Sequence, residues 1–411
     1  MQDHRPTSWR RWIALSLPGL VTLAAGCVTG PQVRQPMRAI WVTRWDYKTT
    51  DDVTRIIENC ADAGFNVVLF QVRGNGTAFY DSTFEPWADE LGGSDPGFDP
   101  LKLACREAHE RGIELHAYVN VMPAWRGTEP PANPEQLYNK HPEWFWYDAE
   151  GNRQPLEHRV GGRQRAWYVS LNPCLPEVRE YLVDVFCDLV SRYDVDGLHL
   201  DYIRFPNEPV VSGEKIPDYP RDERTLAVYK EETGLTPDHN PEAWNQWRTD
   251  CVTKVVADIH AMLRRTKPRA VLSAAVGSVR ERALHHFQDA RRWMDDGIID
   301  VVFLMNYTDS PERFAERIDP WLEDEPEVPV VPGLWFGRHR DKSVEEAAAA
   351  VREQIEIARE KTGDFCVFTY SSLFDSADEE LTAQNAEQRR VRQVRRQILL
   401  LFLKALAEEA G

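Results

Sequence analysis

Hydrophobic residues fall along this chain in short dense runs, and each run gives way to a longer stretch whose apolar positions fit one face of a helix. Eight runs rich in β-branched and aromatic residues predict strands near Arg38–Val42, Asn66–Val72, Ile113–Asn120, Gly197–Ile203, Val271–Val276, Asp300–Asn306, Pro329–Trp335 and Phe365–Tyr370. Strands apolar on both faces belong in a parallel sheet covered on both sides, so eight strand–helix units in succession predict an α/β fold, a single (β/α)8 barrel. Local signals agree. Asp99-Pro100 is an N-cap followed by proline at the first helical position, and Gly64, Gly112 and Gly363 each follow a helix where a left-handed residue is wanted. The stretch from Glu387 to Glu408 carries Ile398, Leu399, Leu400, Leu403 and Leu406 and is expected to close the barrel rather than to meet a membrane or a partner.

Ahead of the first strand the pattern changes. Arg5, Arg10 and Arg11 precede an apolar stretch from Trp12 to Ala25, short for a bilayer span, which ends in Leu23-Ala24-Ala25-Gly26-Cys27. This resembles a bacterial lipoprotein signal. The expected organisation is therefore a signal peptide over 1–26, a tether over 27–36 starting at a lipidated Cys27, and the barrel domain over 37–411. It implies export, with the protein held to a membrane of the cell envelope through its lipid. The formal net charge is −17, and no basic run interleaved with aromatics is present to track a phosphate backbone, which argues against nucleic acid as a partner. Cys60, Cys105, Cys174, Cys187, Cys251 and Cys366 show no zinc-ligand spacing, so no metal is expected. Nor is a cofactor expected, because no phosphate loop, nicotinamide fingerprint or Ser-His-Asp order occurs.

In barrels of this kind the loops that follow the strands carry function. Two are long. The segment from Val121 to Val169 holds Trp125, Trp144, Phe145, Trp146, Tyr147, Trp167 and Tyr168, and the segment from Phe205 to Pro220 is rich in proline. Such rings either stack on a flat ligand such as a sugar or bury themselves in a small subdomain, and both outcomes are expected here. The sharpest local signal is Tyr193-Asp194-Val195-Asp196-Gly197-Leu198-His199-Leu200-Asp201-Tyr202-Ile203-Arg204-Phe205-Pro206. In a strand from Gly197, His199, Asp201 and Ile203 share one face. A carboxylate ending an apolar strand is costly without partners or chemistry, so Asp201 is either catalytic or a buried ion-pair partner of Arg204, Arg73 or Arg44.

Here the chain resembles the glycoside-hydrolase-like family 10 proteins, bacterial barrel proteins that are often lipoproteins. The matching stretches are Arg38-Ala39-Ile40-Trp41-Val42, Phe70-Gln71-Val72-Arg73, His116-Ala117-Tyr118 with Asn120, His141-Pro142-Glu143-Trp144, Leu171-Asn172-Pro173, Asp196 to Pro206, and Met305-Asn306-Tyr307. The resemblance runs from about residue 37 to 375 and implies a (β/α)8 fold with glycoside hydrolase activity. A looser one links Asp196-x-x-His199-x-Asp201-x-Ile203 to the DxxDxDxE strand of family 18 chitinases. Ile203 stands where their terminal acid would be, so their substrate-assisted mechanism does not carry over.

Glycoside hydrolysis needs two carboxyl groups, about 5 Å apart for retention and about 6.5–9.5 Å for inversion. Asp201 is the first. Asp46, Asp309 and Asp375 follow other strands, and Asp309 is preferred because it comes directly after the sixth strand; it is equally placed to cap the helix opening at Ser310-Pro311-Glu312. Asp46 is alternatively a structural partner of Arg44. Polar strand-end residues expected to meet substrate hydroxyls are Arg44, Asp46, Gln71, Arg73, His116, Asn120, His199, Tyr202, Arg204, Asn306 and Tyr307. His116 and His199 also suit neutral hydrogen bonding inside the barrel. Trp41, Trp45 and Trp335 are candidates for a stacking floor, with Trp41 equally suited to the core. The expected protein is an exported glycoside hydrolase acting on a poly- or oligosaccharide, with a non-catalytic carbohydrate-binding barrel as the alternative.

Overall fold

The computed structural model describes residues 35–160, 163–205, 218–339, 341–375 and 385–409. Cys27 with its expected signal segment, the tether up to residue 34 and most of the proline-rich loop after Phe205 lie outside the described residues. Eight parallel strands close a barrel: β1 Arg38–Val42, β2 Val67–Arg73, β3 Glu114–Asn120, β4 Gly197–Asp201, β5 Val271–Gly277, β6 Val301–Met305, β7 Val330–Trp335 and β8 Phe365–Phe368. Each pairs with its neighbours in the chain, and β8 returns to β1 in a register running from Arg38↔Phe365 to Trp41↔Phe368. The predicted (β/α)8 barrel is the observed fold. Asp99 caps the helix Pro100–Glu110 by accepting from the Lys102 amide, and Gly64, Gly112 and Gly363 all take positive φ. The last helix, Ala386–Glu409, buries Leu399, Leu403 and Leu406, and no described helix is long and apolar enough to cross a membrane.

Alternation along the strands divides two cores. Outward residues such as Ile40, Val68, Leu115, Leu198 and Leu200 pack under the helices, whereas Ala39, Trp41, Val67, Leu69, Tyr118, Val301, Phe303, Val331 and Cys366 fill the barrel itself. Two glycines make room inside. A Cβ on Gly333 would stand 2.8 Å from the Trp41 ring, and one on Gly197 would stand 2.7 Å from the His116 ring. Trp41 is therefore core and cannot floor a sugar site: it is 1% exposed, and its Nε1 donates to His199 Nε2 at 3.0 Å. Because an indole N–H only donates, Nε2 of His199 must accept, which puts the proton on Nδ1, 2.9 Å from Ser273 Oγ. Burial, reinforced by His116, pushes the His199 pKa well down, so this ring is a neutral strut. His116 belongs to the same interior. It pairs in register with Gly197, the first residue of β4, and is fully buried, at the opposite end of that strand from Asp201.

β4 ends two residues earlier than expected. Tyr202 turns into the left-handed region at φ 50°, a conformation that costs a tyrosine about 1 kcal/mol or more and is held only by its surroundings. Ile203 consequently leaves the Asp201 face and is buried in the outer core.

The long segment after β3 is a packed subdomain. Strand Pro123–Arg126 pairs antiparallel with Tyr168–Ser170, and Phe145 and Trp146 are fully buried. Trp146 donates to the Leu171 carbonyl at 2.6 Å, and Trp125 donates to that of Glu129 at 2.9 Å. Trp144 packs against Tyr181 and stacks on His141. These three rings serve the subdomain core, while Tyr168 stays half-buried and turns towards the barrel mouth.

Candidate active site

Asp201 is the last residue of β4 and opens on the C-terminal mouth of the barrel. Three donors converge on its carboxylate: Tyr118 Oη reaches Oδ2 at 2.8 Å, and the Tyr202 amide and Arg204 Nη1 reach Oδ1 at 2.6 and 3.2 Å. The left-handed turn at Tyr202 aims that amide back at Oδ1. Tyr118 arrives from β3, where His116, Tyr118 and Asn120 share the inward face. Burial and the neighbouring Asp201 push the Tyr118 hydroxyl well above its ordinary pKa, so it remains a donor at neutral pH. Tyr307, after β6, is raised in the same way by burial and then by Asp201. Its ring meets Trp335 at 5.6 Å and Phe368 at 5.4 Å.

A platform of rings and guanidinium groups runs from this carboxylate to the rim. Tyr202 meets Tyr168 at 5.1 Å, and Tyr168 Oη accepts from Arg44 Nη2 at 3.0 Å. The Arg44 guanidinium lies 4.3 Å from the ring centre of Trp45, and that of Arg126 lies 5.9 Å from it. Trp45 is 52% exposed, so much of its indole is accessible beside the Arg44 guanidinium. Arg44 itself is buried and paired with Glu90 at 3.0 Å; it supports the platform from below.

Several strand-end residues expected to bind substrate are instead consumed by the protein. Arg73 has no exposed surface: it grips Glu85 through Nε and Nη2 and donates through Nη1 to the carbonyls of Asn120, Val121 and Pro123. Gln71 accepts from the Arg44 amide and donates to Asn120 Oδ1 at 3.1 Å, and Asn120 passes its own amide to the Gly74 carbonyl at 2.9 Å. This chain ties the ends of β1, β2 and β3 together. Asn306 is fully buried and donates to the Phe314 carbonyl at 2.8 Å. Buried polar groups need partners, and Arg73, Gln71 and Asn120 have found theirs among neighbouring backbone and side chains, whereas the Asn306 Oδ1 has none among the described residues.

The remaining acids separate cleanly. Asp309 is exposed and lines a cavity of about 550 Å³ that also takes in Arg204 and Tyr307; the helix cap is Ser310, whose side chain accepts from the Arg313 amide at 3.2 Å. Asp375 is engaged by Arg392 and Arg396 of the closing helix. Asp46 is engaged by its own turn: its Oδ2 accepts from the Thr43 amide at 2.7 Å and hydroxyl at 2.8 Å, and Arg44 is not its partner. Burial pushes the Asp46 carboxyl up to about 6, against hydrogen bonds from Thr43 and Ser371 and the charge of Arg392. A raised carboxyl favours the fold while protonated, so its contribution is complete below about pH 3.8 and is lost as pH rises through about 6. Asp46→Asn, which has no proton to lose, should gain on the parent by about 3 kcal/mol between those limits. Denaturant unfolding of both proteins from pH 4 to 7 measures this, and a difference that does not change with pH would contradict it.

Sequence reasoning did not single out Tyr118 or Arg126, and it named Tyr168 only as one of the loop rings expected to stack on a sugar or bury themselves. For Tyr118 the signal was present, since period-two alternation on β3 puts it on one face with Asn120, whose register partner is Asp201. Tyr168 and Arg126 come from a hairpin whose pairing leaves no local trace.

A family model described as glycosyl hydrolase-like 10 matches residues 36–353. Glycosyl hydrolase DigH of Escherichia coli K12 is 25% identical over 333 residues, 69% of this chain and 69% of that protein. Glycosyl hydrolase YngK of Bacillus subtilis is 24% identical over 331 residues, 71% of this chain and 58% of the relative. Among solved structures, the PgaB (BpsB) glycoside hydrolase domain from Bordetella bronchiseptica superposes with a TM-score of 0.58 at 13% identity, covering 87% of this chain and 98% of that one. At such identity the likeness speaks for the barrel fold.

Proposed function

The chain belongs to the glycosyl hydrolase-like 10 family, and from that premise we propose that it hydrolyses O-glycosidic bonds in a poly- or oligosaccharide at the barrel mouth, with Asp201 as the central carboxylate. The observation that carries this reading is the convergence of Tyr118, the Tyr202 amide and Arg204 on Asp201, beside an open aromatic platform. Donors of this kind stabilise an anion and fix its orientation, which suits a nucleophile or a stabiliser of an oxocarbenium-like transition state. A sugar stacked on Trp45 and directed along Tyr168 and Tyr202 would present its glycosidic carbon to that carboxylate. Asp309 is the proposed second acid. It is proposed because it follows β6 directly and lines the cavity that also takes in Arg204, the partner of Asp201.

Turnover is tested by incubating the protein with a broad glycan panel and measuring new reducing ends. The platform is tested by Trp45→Ala. A sugar ring covering about 50 Å² of indole contributes about 1.3 kcal/mol, so KM for a cleaved glycan should rise about tenfold with kcat little changed. An unchanged KM would remove Trp45 from the site. Because the residue is exposed, the variant keeps its fold.

A further inference from the structure

The cavity beside Asp201 is strongly basic in an otherwise acidic protein. Its lining includes Arg204, Arg282, Arg313, Arg317 and Arg338 against one carboxylate, Asp309, whereas the whole chain carries −17. The arginines arrive from four different strand-to-helix connections, those after β4, β5, β6 and β7, so no single helix face explains their meeting. Arg204 already holds Asp201. Among the described residues none of Arg282, Arg313, Arg317 and Arg338 lies within salt-bridge distance of a carboxylate. Burial and then the charges of Arg282, Arg313 and Arg338 push the Arg317 guanidinium down, with Asp309 opposing them, and burial followed by Arg204 pushes His286 down to about 4. Five guanidinium groups gathered around one carboxylate in a concave site repel one another, a cost that a bound oxyanion reduces, and their fork geometry matches carboxylate and sulfate alike.

Building on the hydrolase reading above, we propose that this cavity receives the oxyanion of an acidic sugar residue, a carboxylate or a sulfate ester, so that the substrate is an anionic glycan. The Trp45 platform holds the neutral face of the chain on one side of Asp201, and the arginine cavity reads the charged substituent on the other. Charge steering towards such a cleft weakens with salt, as expected of a long-range field.

Titration calorimetry at matched ionic strength tests this with glucuronate trimers, their carboxyl-reduced counterparts, and inorganic sulfate as competitor. The acidic trimer should bind at least about tenfold more tightly than the reduced one, and Arg313→Gln and Arg317→Gln should each cost about tenfold for the acid while leaving the neutral trimer unchanged. Binding of sulfate in preference to the uronate, lost in the same variants, would assign the oxyanion to a sulfate ester. Equal affinity for acidic and reduced trimers without sulfate competition, binding of none of these probes, or a preference that survives in the Arg313→Gln/Arg317→Gln double variant overturns the proposal. The measurement is repeated in Asp201→Asn, where binding is read without turnover. A failed hydrolase reading therefore shows as absent cleavage with the charge preference intact, and a failed cavity as cleavage without preference.

Discussion

Asp201→Asn should abolish hydrolysis of any glycan that the parent cleaves, with kcat down about 10³-fold or more, while the protein stays folded and still binds that glycan. The substitution is nearly isosteric. Asn keeps one oxygen to accept from the Tyr202 amide and Arg204, the pair that now meet Oδ1 at 2.6 and 3.2 Å. It loses the negative charge and the second oxygen that Tyr118 addresses at 2.8 Å. A nucleophile or charge stabiliser cannot function without that charge, whereas a purely structural Asp201 would show its loss in stability. Reducing-end release at saturating substrate, with thermal unfolding alongside, separates the two. Near-parental turnover would remove Asp201 from the chemistry. If the parent cleaves nothing in a broad panel yet binds oligosaccharide at Trp45, the carbohydrate-binding barrel replaces the hydrolase.

The strands were legible because burial on both faces forces near-continuous apolar runs, and eight of them separated by helical patterns leave few architectures other than closure. Asp201 was legible for the same reason, as a carboxylate ending such a run. What alternation cannot supply is the partner. Gln71 and Asn120 are spent on each other and on neighbouring backbone, and Arg73, beyond the register shift at the end of β2, packs against Phe186 and Glu85 instead; only the three-dimensional register of β1 to β3 reveals it. Glu85, which claims Arg73, stands twelve residues further on in a loop without periodicity. The arginines of the basic cavity escaped notice because, apart from Arg313 and Arg317 on one helix, they come from different strand-to-helix units, and nothing local marks their convergence.

Arg73→Met should be the most destabilising of the single changes considered, by about 3–5 kcal/mol, because it leaves a buried carboxylate without its counter-charge. The side chains of Arg73 and Glu85 are both wholly buried, and Nη2 lies 2.6 Å from Oε1. Among the described residues Glu85 would retain only the Tyr181 hydroxyl, at 3.3 Å, and the carbonyls of Asn120, Val121 and Pro123 would lose a shared donor at the point where β3 enters its long loop. Replacing both partners by apolar residues of similar volume removes the stranded charge, so Arg73→Met/Glu85→Leu should recover a large part of the loss. Denaturant unfolding of the parent, both single variants and the double variant completes the cycle. A substrate-binding Arg73 predicts the reverse pattern: near-parental stability in Arg73→Met with a raised KM, and no recovery on changing Glu85. The burial of the pair decides for the first outcome, since a guanidinium with no exposed surface has no route to a sugar hydroxyl unless the barrel mouth itself comes apart.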